Sequence, residues 1–509
     1  MKHHVLSPLK VSVSALGLVL LTLCGCMVGP NYIAPQMSAP AQWDGIDKTA
    51  ASQTSRTTSG APDLTSWWQQ FHDPTLSVLV EEAVRANLDM KIAEARLRQA
   101  RASRGIAFGG LLPSVGASGG YQRLGKAGVS GDQNLFQAGL DAVWELDLFG
   151  GQRRNLESAD AGIVAASEGV RAAQVSLVAE VALNYIQLRG SQQEIDIAQK
   201  NLDAQQRTAA ITHKQFAVGF ANGLDVANAD ATVAMTEAQI PVYETVERQA
   251  IYALSVLLAR PPADLLQQLS PRGSLPSVPA QVPVGLPSDL LRRRPDIKVS
   301  EAQLHAATAQ IGVAVADFFP TFSLTGTVNW NSNLLGTLWN SSSRSFGIGP
   351  SVSWPIFQGG AIESNVHLQE ALRDQAFHSY QKTVLAAFQD VENALVAFNK
   401  EQQHRKALSG AVAANRKAVD LSLRLFTEGQ TDFLNVVTAQ RSLYATEDAL
   451  VQSNSNIATD LIALYKALGG GEPLSSQPSA PKEVPTVLLP ANSQDKETAA
   501  VNTNTPQGK

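Results

Sequence analysis

Four short segments of the chain alternate between apolar and polar residues. In 321–330 the apolar positions run from Phe322 to Trp330, with threonine, serine and asparagine between them. Such period-two alternation predicts a β-strand with one apolar and one polar face. Runs of about ten residues with this pattern are typical of strands that cross an outer membrane beside a polar lumen. The pattern recurs, most weakly in the last case, in 346–356, 135–146 and 114–122.

Four strands are too few to close a pore within one chain. An open sheet would leave the backbone groups of its edge strands without hydrogen-bond partners in lipid, which is very unfavourable. A soluble β-sandwich is the alternative, but it needs more strands than this chain offers. We therefore expect the strands of several subunits to join in one sheet.

Long helical patterns occupy most of the remaining chain. A helix over 361–427 would contain no proline and a single glycine, Gly410, and would extend roughly 100 Å. A heptad pattern beyond it favours packing of helix on helix, and the remaining positions are polar, as in a wall facing water. The apolar residues of this heptad column are Val436, Leu443, Leu450, Ile457 and Leu464.

Shorter helices are expected on either side of the strands and long helices. Their predicted ranges are 75–108, 224–259, 289–317 and 433–468. Pro241 falls inside one of these ranges, where proline removes a backbone donor and clashes with the preceding turn. We therefore expect a kink or a break at Pro241.

The two halves of the chain indicate an internal duplication. Residues 88–115 and 295–322 are identical at ten of 28 positions, with an offset of 207. Gly219 and Gly429 follow in the same order at an offset of 210, each three residues after a phenylalanine. Each half thus predicts a helix, two strands, a very long helix, a glycine turn and a second helix.

The first 26 residues indicate an export signal. Lys2 and Lys10 give a positive start, and the apolar run 11–23 is too short to span a membrane. The motif Leu-Cys-Gly-Cys ending at Cys26 resembles a bacterial lipobox; a plain signal peptide with incidental cysteines is the alternative. The lipobox predicts covalent N-acyl (palmitate) and S-diacylglycerol groups on Cys26. By resemblance to bacterial lipoproteins, Met27 favours sorting to the outer membrane.

Together these patterns predict six segments. They are a lipoprotein signal (1–25), a lipidated N-terminal segment and linker (26–74), a first repeat (75–270), a linker (271–288), a second repeat (289–471) and a disordered tail (472–509). The tail is rich in Ser, Thr, Pro and Ala and has no periodicity, which is typical of disorder.

Composition excludes several classes of protein. The net charge of −5 gives no basic excess for nucleic acid. After residue 26 no stretch approaches the ~20 apolar residues of a transmembrane helix, and two cysteines exclude a disulfide-stapled fold.

Gly116–Gly120 fits G-x-S-x-G but lies in a strand pattern, without the strand–turn–helix context of a nucleophile. No histidine forms a paired ligand motif with cysteine, so we expect no enzyme, no metal site and no other cofactor.

Several short motifs carry a family resemblance. They are Leu291-Arg-Arg-Arg-Pro-Asp-Ile297, Ile311–Ala314, Phe319-Pro320, Cys26–Tyr32, Trp67-Trp68 and Phe71-x-Asp73-Pro74. With these motifs the chain resembles the outer membrane efflux factor family, the TolC-like channel proteins. It is most similar to the NodT-type lipoproteins of resistance-nodulation-division (RND) efflux systems, over about residues 26–470.

The resemblance implies a mainly α fold with a small membrane β part. In the implied homotrimer each subunit contributes four strands to one twelve-stranded outer-membrane barrel, and the long helices form a periplasmic α-barrel. The implied partners are a periplasmic adaptor, an inner-membrane RND-type transporter and outer-membrane lipid. The protein would be a lipid-anchored, passive exit duct for small toxic molecules.

Two other functions stay open at this stage. Within transport, the duct would serve an ABC-type (type I) secretion system or a heavy-metal export system. From a different class, the protein would be a structural envelope lipoprotein. The alternating strands argue against the structural protein, because a scaffold has no need of a polar lumen.

Both helical hairpins are expected to end at the periplasmic tip of the tunnel. Gly219 and Gly429 suit the ends of the helices before them. The resemblance assigns Asp225 to bonds that hold the tip closed; an N-cap or a solvated turn residue is the alternative.

The second hairpin departs from the family pattern. Where the family often carries acidic residues that form the narrowest ring, this chain has the neutral Asn435 and Thr438. Asp432 lies nearby but is not the same position. We therefore do not expect a strong cation-selective constriction, and Leu434 is the candidate for an apolar plug, with hairpin core as the alternative.

Charged residues outside the tips have two expected roles. Asp141 and Glu145 are candidates for the barrel lumen, with solvated charges near a strand end as the alternative. Arginines 292–294 belong to the family motif, and we expect them to start a helix or to pair with carboxylates.

Overall fold

The computed structural model describes most of the chain after the export signal. The described residues are 27–46, 55–58, 60, 64–125 and 133–471. The predicted signal, Cys26 and the predicted tail lie outside the described residues.

Helices form most of the described chain. In chain order they are α1 (Pro74–Ala86), α2 (Leu88–Gly109), α3 (Gly151–Ala217), α4 (Gly223–Leu257), α5 (Leu266–Leu269), α6 (Pro287–Arg293), α7 (Pro295–Ala316), α8 (Ala361–Thr427) and α9 (Phe433–Ala467). Short 3-10 helices cover Trp67–Phe71, Leu335–Thr337 and Ser341–Ser343. Within the described ranges, no helix combines the length and the hydrophobicity needed to cross a membrane.

The two halves repeat the same helix lengths. The helices α3 and α8 each contain 67 residues, and α4 and α9 each contain 35. Each long helix forms a hairpin with the shorter helix that follows it. The helix predicted over 361–427 agrees with α8 at both ends, and the duplication is visible as two hairpins of equal dimensions.

The strands in the described part of the chain form two sheets. They are β1 (Arg56–Thr58), β2 (Ser114–Leu124), β3 (Gln133–Leu146), β4 (Gln281–Pro283), β5 (Thr321–Ser332) and β6 (Arg344–Ser353). The short strands β1 and β4 pair in parallel, whereas the other four form an antiparallel sheet in the order β2-β3-β5-β6. The four alternating segments are therefore strands, as predicted, and β2 and β6 are the edges of their sheet.

Two of the predicted helices are divided in the structure. The helix expected over 75–108 is divided into α1 and α2 at Asn87, whose side chain accepts hydrogen bonds from the first backbone N–H groups of α2. The helix expected over 289–317 is divided into α6 and α7 at Arg294, which has an extended backbone. The residue before a proline is driven out of the helical region, and here that proline is Pro295.

Of the kink or break expected at Pro241, the break is absent: α4 continues through this residue. Pro241 is exposed to solvent, so the carbonyl group that lacks a helical donor can bond to water instead. The Thr245 hydroxyl donates to the Pro241 carbonyl at 2.8 Å.

The buried apolar side chains of the described residues form two separate clusters. The larger, here called the body core, surrounds Trp67, Tyr185, Phe398 and Tyr465 and draws side chains from both repeats. Trp67 is fully buried and stacks on Tyr465 with ring centroids 5.1 Å apart. The smaller, here called the tip cluster, consists of Ala209, Ala229, Phe426, Phe433, Val436 and Val437.

The N-terminal segment is attached to the helices. Arg154, only 1% exposed, donates to the Val28 carbonyl at 3.0 Å and to Asn31 Oδ1 at 2.7 Å. Further along, Trp43 is buried and its Nε1 donates to the Gly285 carbonyl at 3.2 Å. The described part of the predicted linker thus packs against the body of the protein.

Candidate functional site

The turn between α3 and α4 ends the first hairpin. Gly219 has a φ of +81°, a left-handed conformation that favours glycine. The Phe220 N–H donates to the Gln215 carbonyl at 2.8 Å and so satisfies one of the last carbonyl groups of α3. Asn222 Oδ1 accepts from the Asp225 N–H at 2.9 Å, and Asp225 Oδ2 accepts from the Asn222 N–H at 3.1 Å. Asp225 therefore belongs to a capping box, while its part in holding the tip closed stays a prediction.

The turn between α8 and α9 repeats the backbone of the first turn but not its cap. Gly429 has a φ of +73°, but Asp432, at the N-cap of α9, makes no side-chain capping bond. Asn435 Nδ2 donates to the Thr431 hydroxyl at 2.7 Å, and the Thr438 hydroxyl donates to a carbonyl of its own helix at 2.8 Å. The neutral side chains at this tip thus make local hydrogen bonds.

Leu434 and its neighbour Phe433 point in different directions. Leu434 is 64% exposed, whereas Phe433 is 2% exposed and lies in the tip cluster, 5.2 Å from Phe426 between ring centroids. The alternative of Leu434 as hairpin core is therefore wrong for the protomer, because consecutive side chains are ~100° apart around a helix and Phe433 takes the inner position. A role for Leu434 as an apolar plug stays a prediction.

The four-stranded sheet has one polar and one apolar face. Asp141 and Glu145 lie on the same face of β3, directly opposite Thr327 and Ser323 of β5. The other face carries apolar side chains such as Trp144, which is 39% exposed. The two carboxylates thus share the polar face, and their position toward a lumen stays a prediction.

Arg294 links the start of α7 and the end of α9 to the middle of α8. Its guanidinium donates to both carboxylate oxygens of Asp296 at 3.0 and 2.7 Å, and to Asp390 of α8 at 3.0 Å. It also donates to the Ala467 carbonyl of α9 at 3.1 Å. Burial acts to lower the pKa of Arg294, but the two carboxylates outweigh it and raise that pKa. The predicted pairing with carboxylates is therefore confirmed for this arginine of the motif.

Two sequence features that could belong to a reactive site were compared with the described structure. Gly116–Gly120 lies inside β2 and is followed by more strand, not by a helix. The described part of the chain contains no group of three or more His, Cys, Asp or Glu side chains that could hold a metal ion. The features that carry the candidate functional residues are the tips, the sheet and the contacts between the hairpins.

The polar contacts between the two hairpins were missed by the sequence patterns. Gln440 of α9 donates to the Thr208 hydroxyl of α3 at 2.9 Å, and the Tyr243 hydroxyl of α4 donates to Asp448 of α9 at 2.6 Å. These residues belong to different repeats, and none of them carries a motif. The abundance of polar side chains on these helices was the only sign of such contacts.

Comparisons with known proteins agree over most of the chain. A family model described as outer membrane efflux protein matches residues 79–260 and 286–470. Nodulation protein T of Rhizobium leguminosarum bv. trifolii is 32% identical over 457 residues, which cover 89% of this chain and 96% of that protein. The antibiotic efflux pump outer membrane protein ArpC of Pseudomonas putida is 32% identical over 468 residues, with 90% and 96% covered.

Solved structures show the same architecture. The outer-membrane channel OprN has a TM-score of 0.80 and 37% identity, and the match covers 88% of this chain and 99% of that channel. CusC, whose structures are described in terms of folding and transmembrane channel formation, has a TM-score of 0.76 and 28% identity. The match covers 88% of this chain and 100% of CusC.

Proposed function

The chain belongs to the outer membrane efflux protein family, and from this premise we propose that three copies form the exit duct of a tripartite efflux pump. The protein is an outer-membrane efflux channel. Its number of copies, its partners and its cargo are the proposed part. The observation that carries the proposal is the combination of a small sheet with two open edges and two long helical hairpins in one protomer.

The sheet supports assembly of several copies. Its edge strands β2 and β6 have no strand partner on their outer side among the described residues. Unpaired backbone groups are very costly in lipid, and the apolar face of the sheet is exposed. Three copies joined edge to edge would pair every edge and give a closed sheet of twelve strands, with Asp141 and Glu145 on its inner, polar face.

The proposed partners follow from the length of the hairpins. The helices α3 and α8 are each roughly 100 Å long, which would carry the tips far into the periplasm. An adaptor and an inner-membrane RND-type transporter would deliver cargo there. The name of ArpC, an antibiotic efflux pump component, supports small toxic molecules as cargo, and the protein itself would make or break no covalent bond.

The N-terminal contacts support a lipid anchor at Cys26. The Val28 N–H donates at 3.0 Å to the carbonyl of Phe149, shortly after the end of β3. An acylated Cys26 would therefore lie beside the membrane strands, where its chains can enter the bilayer. Mass spectrometry of the N-terminal peptide tests this; an unmodified Cys26, or cleavage elsewhere, contradicts it. Because the sheet is a second anchor, Cys26→Ala should lose acylation and keep membrane association.

Crosslinking in the native envelope tests the proposed assembly. The crosslinked protein would be purified and its companions identified by mass spectrometry. A trimer with an adaptor and an RND transporter is the expected result. Recovery of an ABC transporter would instead assign the duct to secretion, and an RND transporter for metal ions would assign it to metal export. Recovery of peptidoglycan-associated proteins without a trimer would favour a structural lipoprotein and contradict the proposal.

A further inference from the structure

A cavity of about 510 Å³ lies where the last turns of α9 meet the first turn of α7, between α3 and α8. It is here called the wall cavity, and alanines of α3, α8 and α9 form much of its surface. Its charged lining residues are Arg294, Asp296, Asp390, Asp460 and Lys466. The volume falls within the ~300–1,000 Å³ that is typical of sites for small organic molecules.

The wall cavity lies on the side of the helices that faces away from the body core. Its residue Ala463 is about 160° around α9 from both Leu461 and Tyr465, which pack in the body core. The same core contains Trp43 of the N-terminal segment. That segment starts beside the predicted lipid anchor and follows the outside of the proposed duct, because the acyl chains enter the surrounding bilayer. The wall cavity therefore opens on the inner wall of the proposed duct.

The charges in the wall cavity leave an acidic excess. Arg294 is occupied by Asp296, by Asp390 and by a backbone carbonyl of α9. These two carboxylates share one guanidinium and keep a net negative charge. Lys466 is exposed in the last turn of α9, ~9 Å along the helix axis from Asp460. The lining has three carboxylates against two cationic side chains, so it favours a cationic ligand.

Asp460 is the carboxylate of this lining that lacks a partner. It makes no hydrogen bond or ion pair among the described residues, although it is half-buried. Burial, and then the negative charge of Glu401 on α8, raise the pKa of Asp460 to about 6. A partly desolvated carboxylate without a partner is unfavourable. A bound cation would offset that cost.

The first repeat offers an internal comparison for Asp460. The helices α4 and α9 have equal lengths and are related by an offset of 210 residues. At this offset Ala250 corresponds to Asp460, and Val256 corresponds to Lys466. Ala250 is buried in the body core, so a hairpin of this kind packs with a small apolar side chain at that position. Packing of the repeat therefore does not account for the carboxylate of Asp460.

We propose that the wall cavity is a binding site for an amphipathic organic cation, whose positive group pairs with Asp460 and whose apolar part lies on the alanines. The inference rests on the proposed function and names a class of cargo for the duct. A bare inorganic cation would leave the alanine surface exposed and most of the volume unfilled. An organic cation of the size of a drug buries apolar area and also neutralises the carboxylate.

Equilibrium binding of ethidium to the purified full-length protein tests the proposal. Ethidium is a flat, permanently charged organic cation, and its fluorescence increases when it leaves water. Asp460→Asn keeps the shape of the side chain and removes its charge, so the affinity should fall about tenfold. Asp420→Asn is the matched control, because Asp420 is exposed on α8 and does not line the wall cavity. Equal affinity of wild type and both variants would overturn the proposal.

A second pair of variants tests the cavity itself. Ala463→Leu places a larger side chain in the wall cavity without changing its charge, and it should also weaken the binding of ethidium. Ala445→Leu lies on the same helix outside the cavity and should bind as wild type. Both alanines are exposed, so neither variant overpacks a core. Undiminished affinity of Ala463→Leu would mean that ethidium binds elsewhere, and it would overturn the site.

A pH profile adds a readout that a purely structural role of Asp460 would not change. Protonation of Asp460 removes its charge, so the affinity of wild type for ethidium should fall as the pH is lowered from 7.5 to 5. Asp460→Asn should remove most of this fall. The other titratable groups that face the site are the charged lining residues of α7, α8 and α9 and the nearby Glu401, while α3 contributes uncharged side chains to the lining. An equal fall in wild type and Asp460→Asn would contradict the pairing.

An anionic probe separates the charge of the ligand from its apolar part. Binding of anilinonaphthalene sulfonate, which carries a negative charge, should not weaken in Asp460→Asn. An equal loss of affinity for both probes would overturn the pairing of a cation with Asp460.

The proposed function and the binding site can fail separately. Recording in planar bilayers shows whether the wild-type protein forms a pore. A wild type that forms no pore would overturn the proposed function, and with it the position of the wall cavity on an inner wall. A conducting wild type whose affinity for ethidium is unchanged by Asp460→Asn would overturn the binding site alone.

Discussion

The body and the tip end of the same helices are stabilised in different ways. In the body, aromatic and aliphatic side chains from both repeats form one large core around Trp67 and Tyr465. At the tip end the tip cluster contains six apolar residues, two of them alanines. Polar contacts such as Tyr243–Asp448 and Thr208–Gln440 join the hairpins between these clusters.

This difference indicates where a duct of this kind can move. Burial of apolar area is the largest stabilising term in a fold, and it holds the body as one unit. A few hydrogen bonds and a small cluster are worth only a few kcal/mol together. The tip end can therefore change conformation while the body keeps its fold, as a channel that opens at one end requires.

The largest expected effect comes from the body core. Trp67→Ala removes a fully buried ring that stacks on Tyr465, and it should lower the free energy of unfolding by about 4 kcal/mol. Denaturant titration of the purified protein in detergent measures this. A loss below about 1 kcal/mol would mean that the body does not depend on its core in the way described.

The tip cluster should give a smaller and more local effect. Phe433→Ala should cost about 2 kcal/mol, because the site is small and near solvent, and it should appear as faster proteolysis at the tips. Leu434→Ala is the matched control: its side chain is 64% exposed, and we expect a change within about 0.5 kcal/mol. Equal protease sensitivity of the two variants would contradict the assignment of Phe433 to the core.

The capping box at the first tip should contribute less again. Asp225→Ala removes the acceptor for the Asn222 N–H and should destabilise the start of α4 by about 1 kcal/mol. If Asp225 also holds the tip closed, the variant should raise single-channel conductance and admit large antibiotics. Unchanged conductance and unchanged antibiotic sensitivity would mean that Asp225 only caps α4. Asn435→Ala at the second tip should not destabilise the start of its helix in this way.

The smallest expected effect is a dependence of stability on pH. Burial and Asp448 raise the pKa of Glu194 from 4.5 to about 7, so its contribution is complete below pH 4.5 and is lost as the pH rises through 7. Partial exposure limits the loss to about 1 kcal/mol or less. Glu194→Gln should reduce the pH dependence of the free energy of unfolding between pH 5 and 8, and Glu237→Gln should leave it unchanged.

Much of the fold could be predicted from local patterns. The alternating segments are the four strands of the larger sheet, and the helix predicted over 361–427 is α8. The breaks at Asn87 and Arg294 were missed, although each has a local cause in a capping side chain or a following proline. The break expected at Pro241 does not occur, because packing of α4 along α3 and access to water at the exposed Pro241 offset the local cost of proline.

The candidate site was predictable only in part. Both glycine turns could be placed because left-handed backbone strongly favours glycine. The choice between Leu434 and Phe433 was not predictable, because both are apolar and only the packed hairpin shows which one points inward.

The sequence by itself determined the types, lengths and duplication of the elements, because periods of two and seven follow from the geometry of a single strand or helix. Only the tertiary structure decided which polar side chains meet. Asp448 and Tyr243 are 205 residues apart, and Glu447 and Asn201 are 246 apart. Their contact depends on how two hairpins from different repeats pack. A local sequence pattern does not indicate which residues of two separate helices lie close together.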